Sequence, residues 1–397
     1  MRGWHGTLKR AMRAREPENA VATPVHAFKP ADATPYRRIL IVDSMTPDPI
    51  RDSGSMRLCR IFELLRSDGW AVEFLADYGD ASTADVARLA AQGVHLHRES
   101  PLPWLARQGS SLDAVMLCRL PTADQYIDVI RRYAPNAKVV FDTVDLHFIR
   151  EQRAADLTGI PSMARRARRS RRRELDMVCR SDVTIVVSEE ERDVLAREVP
   201  TAQVEVVSNI HEAHGRLANF AGRRGLLFVG GFGHPPNEDA VRWFSAEVLP
   251  QLRAQDRTIE LHVVGDIDTA TRRSIEHDGV IVHGRVPDLE PLFGQMMVSV
   301  APLRFGAGVK GKVNHAMSYG LPVVLTKIAA EGMHLTNGMD SIVADDASSM
   351  AQAILQLHRD EALWTRLSDG GLENIRRYFS AEQAQATLSR IFQDIRP

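Results

Sequence analysis

Short apolar runs alternate with helical segments along most of this chain of 397 residues. Runs rich in β-branched residues predict strands at 38–43, 71–75, 94–97, 114–118, 138–142, 182–187 and 204–207. Between most of these runs, as at 55–67 and 123–133, apolar residues recur at helical spacing. Strands that alternate with helices predict a parallel sheet with helices on both faces.

A second series of the same kind follows an interruption at 209–224, which has no strand pattern and is interpreted as a linker. This series predicts strands at 226–229, 259–264, 280–283, 298–302 and 322–326, and helices at 237–247, 312–319, 348–358 and 361–395. The pattern therefore predicts an α/β protein with two Rossmann-like domains, at 37–208 and 225–397. A ligand would bind in the cleft between them.

Residues 1–36 precede the first predicted strand and lack its pattern. Four prolines between positions 16 and 35 predict a flexible extension. Within it, Trp4, Leu8 and Met12 lie at helical spacing among basic residues. A short amphipathic helix at an anionic membrane and a frayed tail are both open interpretations.

The charge balance and the cysteines narrow the class of protein. The chain has 50 basic and 51 acidic residues, and this balance excludes a generally cationic nucleic-acid-binding protein. No apolar run reaches the roughly 18 residues that a membrane-spanning helix needs. Cys59, Cys118 and Cys179 are few and widely spaced, which predicts buried thiols and a cytoplasmic location.

Lysine is scarce, with 6 residues in the whole chain, yet two lysines share one glycine-rich stretch. Residues 303–315, LRFGAGVKGKVNH, follow a predicted strand and open a predicted helix. Glycines there let a phosphate approach backbone N–H groups, and the helix N-terminus adds a positive dipole. Lys310 and Lys312 add full charges, and Arg304 adds a third, so this stretch is a candidate phosphate site.

Two general phosphate-binding patterns fit this stretch only in part. Gly306, Gly308 and Gly311 have the G-x-G-x-x-G spacing of a dinucleotide site. However, the acidic residue of such a site belongs at the end of the next strand, and Glu331 lies beyond that end. The stretch also approaches a P-loop, but Val313 stands where Ser or Thr would hold Mg²⁺. An NAD-dependent oxidoreductase is therefore an alternative interpretation.

The glycine-rich stretch and the AMSYGLPVV segment after it resemble the donor-binding region of glycosyltransferase family four. Similar motifs occur in the family's order at 52–57 (DSGSMR), 142–148 (DTVDLHF), 228–237 (FVGGFGHPPN), 284–289 (GRVPDL) and 329–333 (AAEGM). The resemblance implies the GT-B fold and retaining, metal-independent transfer of a sugar, such as a hexose, from a nucleotide-diphosphate donor. It implies a glycan or lipid-linked acceptor in bacterial surface polysaccharide-type synthesis, and no cofactor beyond the nucleotide-sugar substrate.

The resemblance also assigns roles on the donor side. Lys312 is expected to bind the donor phosphates and to act in catalysis, and Lys310 to supply positive charge that the family places near Gly231. The expected donor-binding residues are Gly230, Gly231, Arg304, Gly306, Gly308, Lys310, Lys312, His315 and Glu331. Relatives usually carry glutamates where Ala307 and His315 stand here, so a non-catalytic nucleotide-sugar-binding homologue is a second interpretation.

On the acceptor side, the resemblance points to Asp145 and His147 in the loop after the fifth strand. They are candidate catalytic residues that would orient an acceptor hydroxyl or the donor sugar. A turn cap and a packed ring are the structural alternative. Gly54 and Ser55 are expected to bring backbone N–H groups to the cleft, or to form an ordinary turn. Asp142 and Asp145 lack convincing metal-ligand spacing, as do the other acidic, His and Cys residues, so no metal is expected.

The chain also has two basic segments. Nine arginines and only two acidic residues lie between Arg150 and Arg173, and residues 1–15 have a net charge of +5. Either segment would bind anionic lipids at the inner face of the cytoplasmic membrane, and the first would also bind a lipid-diphosphate acceptor. The alternative for the first segment is a solvated helix with a buried apolar stripe.

Overall fold

A computed structural model describes residues 37–77 and 81–395, so the predicted extension at 1–36 lies outside the described residues. The first strands are β1 (Arg37–Asp43), β2 (Trp70–Ala76), β3 (Val94–His97), β4 (Ala114–Cys118), β5 (Lys138–Asp142), β6 (Val183–Val186) and β7 (Val204–Val206). The helices among them are α1 (Ser53–Ser67), α2 (Thr83–Ala91), α3 (Pro101–Gln108), α4 (Leu120–Tyr133), α5 (His147–Thr158), α6 (Pro161–Arg180) and α7 (Glu189–Glu198).

The second series of strands comprises β8 (Leu226–Val229), β9 (Leu261–Val264), β10 (Val280–Gly284), β11 (Val298–Ala301), β12 (Val323–Leu325) and β13 (Ile342–Val343). Its helices are α8 (Pro235–Trp243), α9 (Leu249–Gln255), α10 (Thr269–Ile275), α11 (Glu290–Gln295), α12 (Gly311–Ser318), α13 (Lys327–Ala330), α14 (Ala347–Arg359) and α15 (Glu361–Tyr378). A last helix, α16 (Ala381–Ile391), ends the described chain.

Within the described residues the strands form two sheets in which every strand pair is parallel. The first sheet has the order β3-β2-β1-β4-β5-β6-β7, and the second has the order β10-β9-β8-β11-β12-β13. Each strand predicted for the first sheet occurs within one residue of its predicted bounds. The predicted α/β class with two Rossmann-like sheets is therefore confirmed.

Continuous burial explains why these apolar runs form strands. Residues 39–42 of β1 have no exposed surface, because helices cover both faces of the sheet. The helix that follows is α1, which begins after the N-cap residue Asp52. Its buried side chains Leu58, Ile61 and Leu65 recur every three or four residues and pack on the sheet. The strand and helix patterns of the sequence thus each correspond to a buried surface.

The last helix, α16, crosses back to the first domain. Its side chains Leu388 and Ile391 join the core cluster of the first sheet, and the Phe392 ring after it lies 5.1 Å from the Trp70 ring. Lys138 Nζ also donates to the carbonyl of Ile391 at 2.6 Å. The sequence pattern predicts this segment as part of the second domain, whereas its apolar face is buried in the first.

Three local features differ from the prediction. Strand β13 was not predicted, because it has only two residues. The helix predicted at 237–247 ends as an α-helix at Trp243 and continues as a π-helical turn, Phe244–Val248. Cys179, expected to be buried, is exposed, because it lies on the solvent side of α6.

Among the described residues, no helix is both long and apolar enough to cross a membrane.

Candidate functional site

Two helix N-termini meet where the carboxyl ends of the two sheets face each other. Helix α1 begins at Ser53 after β1, and α12 begins at Gly311 after β11. A Cβ atom on Gly311 would overlap the Ser53 side chain, so the two helix starts are in close contact. Ligands of parallel sheets bind at this edge, and helix N-termini attract anions. This edge is therefore the candidate site.

Lys312 lies in the first turn of α12, and its ammonium group has no acidic partner among the described residues. Lys312 Nζ donates to Asn237 Oδ1 at 2.5 Å and lies 4.0 Å from the centre of the Phe228 ring. Burial, followed by the charge of Lys310, lowers the pKa of Lys312 to about 7. A desolvated cation without a counter-ion is unfavourable, so this position is suited to bind an anion.

The loop after β8 closes around this ammonium group. A Cβ atom on Gly230 would lie 2.8 Å from Lys312 Nζ and 2.7 Å from Asn237 Nδ2, so only glycine leaves room for both side chains. Asn237 also donates to the carbonyl of Gly231 at 2.8 Å and thereby fixes the loop. Gly230, which was predicted to bind the donor, thus lies beside the lysine that was predicted to bind its phosphates, and Gly231 is bonded to Asn237, the partner of that lysine.

Lys310 is buried and holds its own loop together. Its ammonium group donates to the carbonyl of Ala307 at 3.1 Å and to that of Gly308. Burial lowers the pKa of Lys310 to about 8, although the charges of Glu331 and Glu191 act in the opposite direction. The two lysines of this loop therefore differ: one is bonded to its own backbone, and the other lacks an anionic partner.

The glycine loop packs against the loop that follows β5. Gly308 has a φ of +68°, and a Cβ atom there would lie 3.1 Å from Cβ of Asp145. Gly306 has a φ of +152°, and its carbonyl accepts a hydrogen bond from Arg153 at 2.7 Å. Because side chains disfavour both backbone conformations, glycine is needed at both positions for the loop to reach the first domain.

Asp145 and His147 lie together at the start of α5. His147 Nε2 is 3.4 Å from Asp145 Oδ1, and Asp145 also pairs with Arg150. Burial raises the pKa of Asp145, but the charges of Arg150 and His147 outweigh it, and the net change is a lower pKa. Burial lowers the pKa of His147. At neutral pH the pair is thus a carboxylate beside a neutral imidazole, which can accept a proton from a hydroxyl group.

Two buried glutamates hold the backbone of this loop. Glu174 accepts hydrogen bonds from the N–H groups of His147 and Phe148, each at 3.1 Å, and Glu191 accepts one from Leu146 at 3.1 Å. Burial raises the pKa of Glu174 to about 8 and that of Glu191 to about 7. Neither glutamate was selected from the sequence, because neither lies near the loop along the chain.

Glu331 joins the two domains. Arg153 Nη2 donates to Glu331 Oε1 at 2.7 Å, and Arg153 Nη1 donates to Oε2 at 2.5 Å. Bidentate pairs of this kind are among the stronger charged contacts in proteins. The carboxylate that was expected to bind the donor therefore has a protein partner already, and its donor-binding role stays a prediction.

Arg304 and His315 also have other partners. Arg304 is exposed, and its Nε donates to Asp239 at 2.9 Å. The ring of His315 lies 4.8 Å from that of Phe293, and burial, followed by the charge of His214, lowers its pKa to about 4. His315 is therefore neutral at physiological pH. The donor-binding roles of both residues stay predictions.

The start of α1 is held by its own cap. The Ser55 N–H donates to Asp52 Oδ1 at 2.8 Å, so the protein satisfies this group internally. Gly54 lies against Arg119, whose Nη2 would be 3.0 Å from a Cβ atom there. Arg119 follows β4 with a φ of +69° and donates to Asp43 at 3.0 Å. It is a charged cleft residue that was not predicted from the sequence, although its place after a strand was a usable signal.

The described residues contain no group of three His, Cys, Asp or Glu side chains that could hold a metal ion. Asp142, whose spacing from Asp145 does not predict a metal ligand, is buried and pairs with Arg57 at 2.7 Å. Arg57 also donates to the carbonyl of Val207 at 2.9 Å. Asp142 is thus part of a buried ion pair that joins α1 to the end of β5.

The family model described as Glycosyl transferases group 1 matches residues 223–360, from β8 to α14. These residues of the second domain are similar to the group 1 glycosyl transferases. Lys312, Asn237 and the two loop glycines all lie within the matched residues. The match bears out the resemblance to glycosyl transferases that the motifs predicted, and family four itself stays a prediction.

Known proteins resemble the chain in sequence over part of its length and in structure over most of it. An uncharacterized 44.6 kDa protein in the cps region of Klebsiella pneumoniae is 26% identical over 144 residues, which are 34% of this chain and 37% of that protein. The chain thus matches well under two thirds of this relative. The sucrose-phosphate synthase of Thermosynechococcus elongatus has a TM-score of 0.71 and 17% identity, covering 90% of this chain and 98% of that chain.

HepE from Anabaena, solved with UDP and glucose, is a second similar structure. It has a TM-score of 0.68 and 13% identity, covering 90% of this chain and 100% of that chain. At these identities the likeness shows the fold alone. The GT-B fold that was predicted from the sequence is confirmed.

Proposed function

We propose that this protein is a retaining glycosyltransferase that moves a sugar from a nucleotide-diphosphate donor to a glycan or lipid-linked acceptor. The observation that carries this proposal is the desolvated ammonium group of Lys312, which lacks an anionic partner in the described structure. It lies in the first turn of α12, within the residues that match the group 1 glycosyl transferase model. HepE was solved with UDP and glucose, which supports a nucleoside diphosphate as the anion.

Sugar transfer leaves negative charge on the diphosphate as the bond to the sugar breaks. In the proposed complex Lys312 contacts a phosphate oxygen, and the N–H groups at the start of α12 point toward the same anion. Phosphate binding raises the pKa of Lys312 from about 7, so the ammonium form is held while the leaving group departs. Lys310 keeps the loop in shape. These fixed charges allow the proposed reaction to proceed without a metal ion.

The acceptor hydroxyl is proposed to bind beside Asp145 and His147. The contact between Gly308 and Asp145 brings this pair next to the donor loop. His147, neutral at physiological pH, is able to orient a hydroxyl group or to take its proton, and Asp145 stabilises the imidazolium that results. Glu174 and Glu191 fix the backbone on which the pair depends.

The proposed setting is bacterial surface polysaccharide-type synthesis in the cytoplasm, where nucleotide sugars would be available as donors. The Klebsiella pneumoniae relative, described as a protein in a cps region, supports this setting. The acceptor in such a setting is a growing glycan or a lipid-linked sugar.

The test is transfer by the purified full-length protein. It is incubated with UDP-, GDP- and ADP-sugars, alone and with glycan and lipid-linked acceptors, and released nucleoside diphosphate is measured. We expect one donor class to be consumed, and we expect NMR to show that the product keeps the anomeric configuration of the donor. Inversion would contradict the retaining mechanism, and the absence of both nucleotide-sugar binding and release would contradict the whole proposal.

A second candidate is a nucleotide-sugar-binding protein without transferase activity. It is favoured by Ala307 and His315, which stand where related enzymes usually carry glutamates. The neutral, ring-packed state of His315 shows that it does not replace a carboxylate electrostatically. Tight binding of a nucleotide sugar with no release from any donor, in the presence of every acceptor tried, would favour this candidate.

A further inference from the structure

Helices α5 and α6 form a hairpin beside the candidate site. The chain reverses at Gly159, which has a φ of +68°, and Glu174 near the end of α6 returns to bond the first N–H groups of α5. Arg153 on α5 reaches the donor loop through Gly306. The hairpin therefore carries residues of the cleft on one side, while its other side is exposed.

The arginines of α6 fall into two sets. In the first set, Arg166 pairs with Glu151, Arg171 with Glu198, Arg173 with Asp124 and Arg180 with Asp128. The members of the second set are exposed and have no ion-pair partner among the described residues: Arg165, Arg168, Arg169 and Arg172. We call this second set the arginine stripe.

The spacing of the arginine stripe places it on one side of α6. Its positions follow the i, i+3, i+4, i+7 pattern, so the four side chains lie along a single helix face. The buried residues Ala167, Glu174 and Val178 lie on the opposite face, against the protein. The segment is thus the solvated helix with a buried stripe that was one of the two sequence interpretations, but it exposes a row of unpaired cations.

Exposed apolar groups occur on the same hairpin as the arginine stripe. Leu157 and Ile160, at the tip of the hairpin, are 43% and 45% exposed. A pocket of about 320 Å³ opens between the two helices and is lined by Phe148, Ile149, Gln152, Arg153, Ala167, Arg168 and Arg171. Arg168 belongs both to the rim of this pocket and to the stripe. The hairpin therefore presents cations and apolar surface together.

We propose that the arginine stripe and the tip residues Leu157 and Ile160 form a docking surface for an anionic lipid bilayer. Unpaired guanidinium groups attract lipid phosphates, and apolar side chains beside them gain by entering the interface. Nucleic acid fits this surface less well, because no aromatic side chain on which bases would stack stands between the four arginines. This inference goes beyond the proposed reaction, since it concerns where the protein is held.

Docking of the hairpin would bring the cleft close to the membrane surface. His147 and Arg153 lie on α5, the partner helix of the docking helix. A sugar acceptor held by a lipid would then be presented near the donor loop. Membrane binding itself does not depend on the transfer reaction, so the two proposals are tested separately.

The experiment is co-sedimentation of the full-length protein with vesicles. Vesicles of phosphatidylcholine alone are compared with vesicles that also contain phosphatidylglycerol. The variant R165Q/R168Q/R169Q/R172Q removes the stripe, and R257Q/R273Q/R359Q/R377Q removes the same charge from exposed positions of the second domain. We expect binding to anionic vesicles only, with the partition coefficient lowered on the order of 1,000-fold in the stripe variant. The control variant should retain at least most of the binding.

A second variant tests the apolar part. Leu157→Gln with Ile160→Gln should weaken the binding that remains at raised salt, because salt screens the arginines but not apolar contacts. Equal binding to both kinds of vesicle, or unchanged binding of the stripe variant, would overturn the proposal. So would binding of the stripe to duplex DNA without binding to vesicles, which would make it a surface for a different polyanion.

Discussion

Replacing Lys312 by Met should stabilise the free protein and weaken its binding of a nucleoside diphosphate. The change removes the ammonium group and keeps a side chain of similar length. Since burial lowers the pKa of Lys312 from its ordinary value to about 7, the folded protein pays for the desolvated charge. At about 1.4 kcal/mol for each pKa unit, this cost is on the order of 4 kcal/mol at neutral pH. A gain of about 1 to 4 kcal/mol is therefore expected.

The pH dependence of this gain has a definite sign. The pKa of Lys312 is lower in the folded than in the unfolded chain, so the unfolded chain binds more protons between about pH 7 and the ordinary lysine value. The stability of the wild-type protein therefore rises with pH across this interval. The advantage of Lys312→Met over the wild type should be largest below pH 7 and should shrink toward pH 10.

Ligand binding should change in the opposite direction. A hydrogen bond to a charged group contributes about 1.5 to 3 kcal/mol, so Lys312→Met should bind UDP or GDP about 10- to 150-fold more weakly. Binding of the nucleoside alone should be unchanged. Because phosphate binding raises the pKa of Lys312, the wild-type affinity for the diphosphate should fall as the pH rises above 7.

Calorimetric titration and thermal unfolding measure both effects. The matched control is Lys327→Met, because Lys327 is 82% exposed and its Nζ pairs with Asp345 at 3.1 Å. This control should change neither quantity. A destabilised Lys312→Met variant that loses nucleoside and diphosphate binding alike would refute the argument and make Lys312 a structural residue.

Three further predictions concern stability and loop shape. Arg57→Met should destabilise the protein by about 3 to 5 kcal/mol, because it leaves the buried carboxylate of Asp142 unpaired. In urea unfolding, the double variant Arg57→Met with Asp142→Asn should recover part of the lost stability. Glu174 has a pKa raised to about 8, so its contribution to stability is present below its ordinary pKa and is lost as the pH rises through 8. Glu174→Gln should flatten this part of the profile of stability against pH measured by thermal unfolding, and an unchanged profile would contradict the assignment. Gly308→Ala should reduce diphosphate affinity in titration, because its φ of +68° and the nearby Asp145 leave no room for a methyl group, whereas Gly233→Ala, which has open space, should not.

The strands were predictable from the sequence because burial on both faces demands continuous apolar runs. The runs at 39–42 and 139–141 are continuously apolar, and both are fully buried in the structure. Strand β13 was not predictable in this way, since two residues give no pattern. The position of α16 was not predictable either, because its amphipathic face fits the core of either domain, and only the tertiary structure selects the first.

The candidate site was predicted in its location but not in its connections. The glycine loop with Lys310 and Lys312 is local in sequence, so its pattern is visible there. The different surroundings of the two lysines depend on Asn237 and on backbone carbonyls, which the pattern does not show. The contact between Arg153 and Glu331 joins residues 178 positions apart, and no local signal predicts such a pair.

The most direct test of the central claim, that the β11–α12 loop binds the diphosphate of a nucleotide sugar, is a thermal-shift titration. The wild-type protein and Lys312→Met are titrated with UDP, GDP, their sugars, the corresponding nucleosides and NAD. The account predicts that one nucleoside diphosphate and its sugar raise the unfolding temperature of the wild type, that the nucleoside has little effect, and that the shift is largely lost in Lys312→Met. Stabilisation by NAD alone would contradict it.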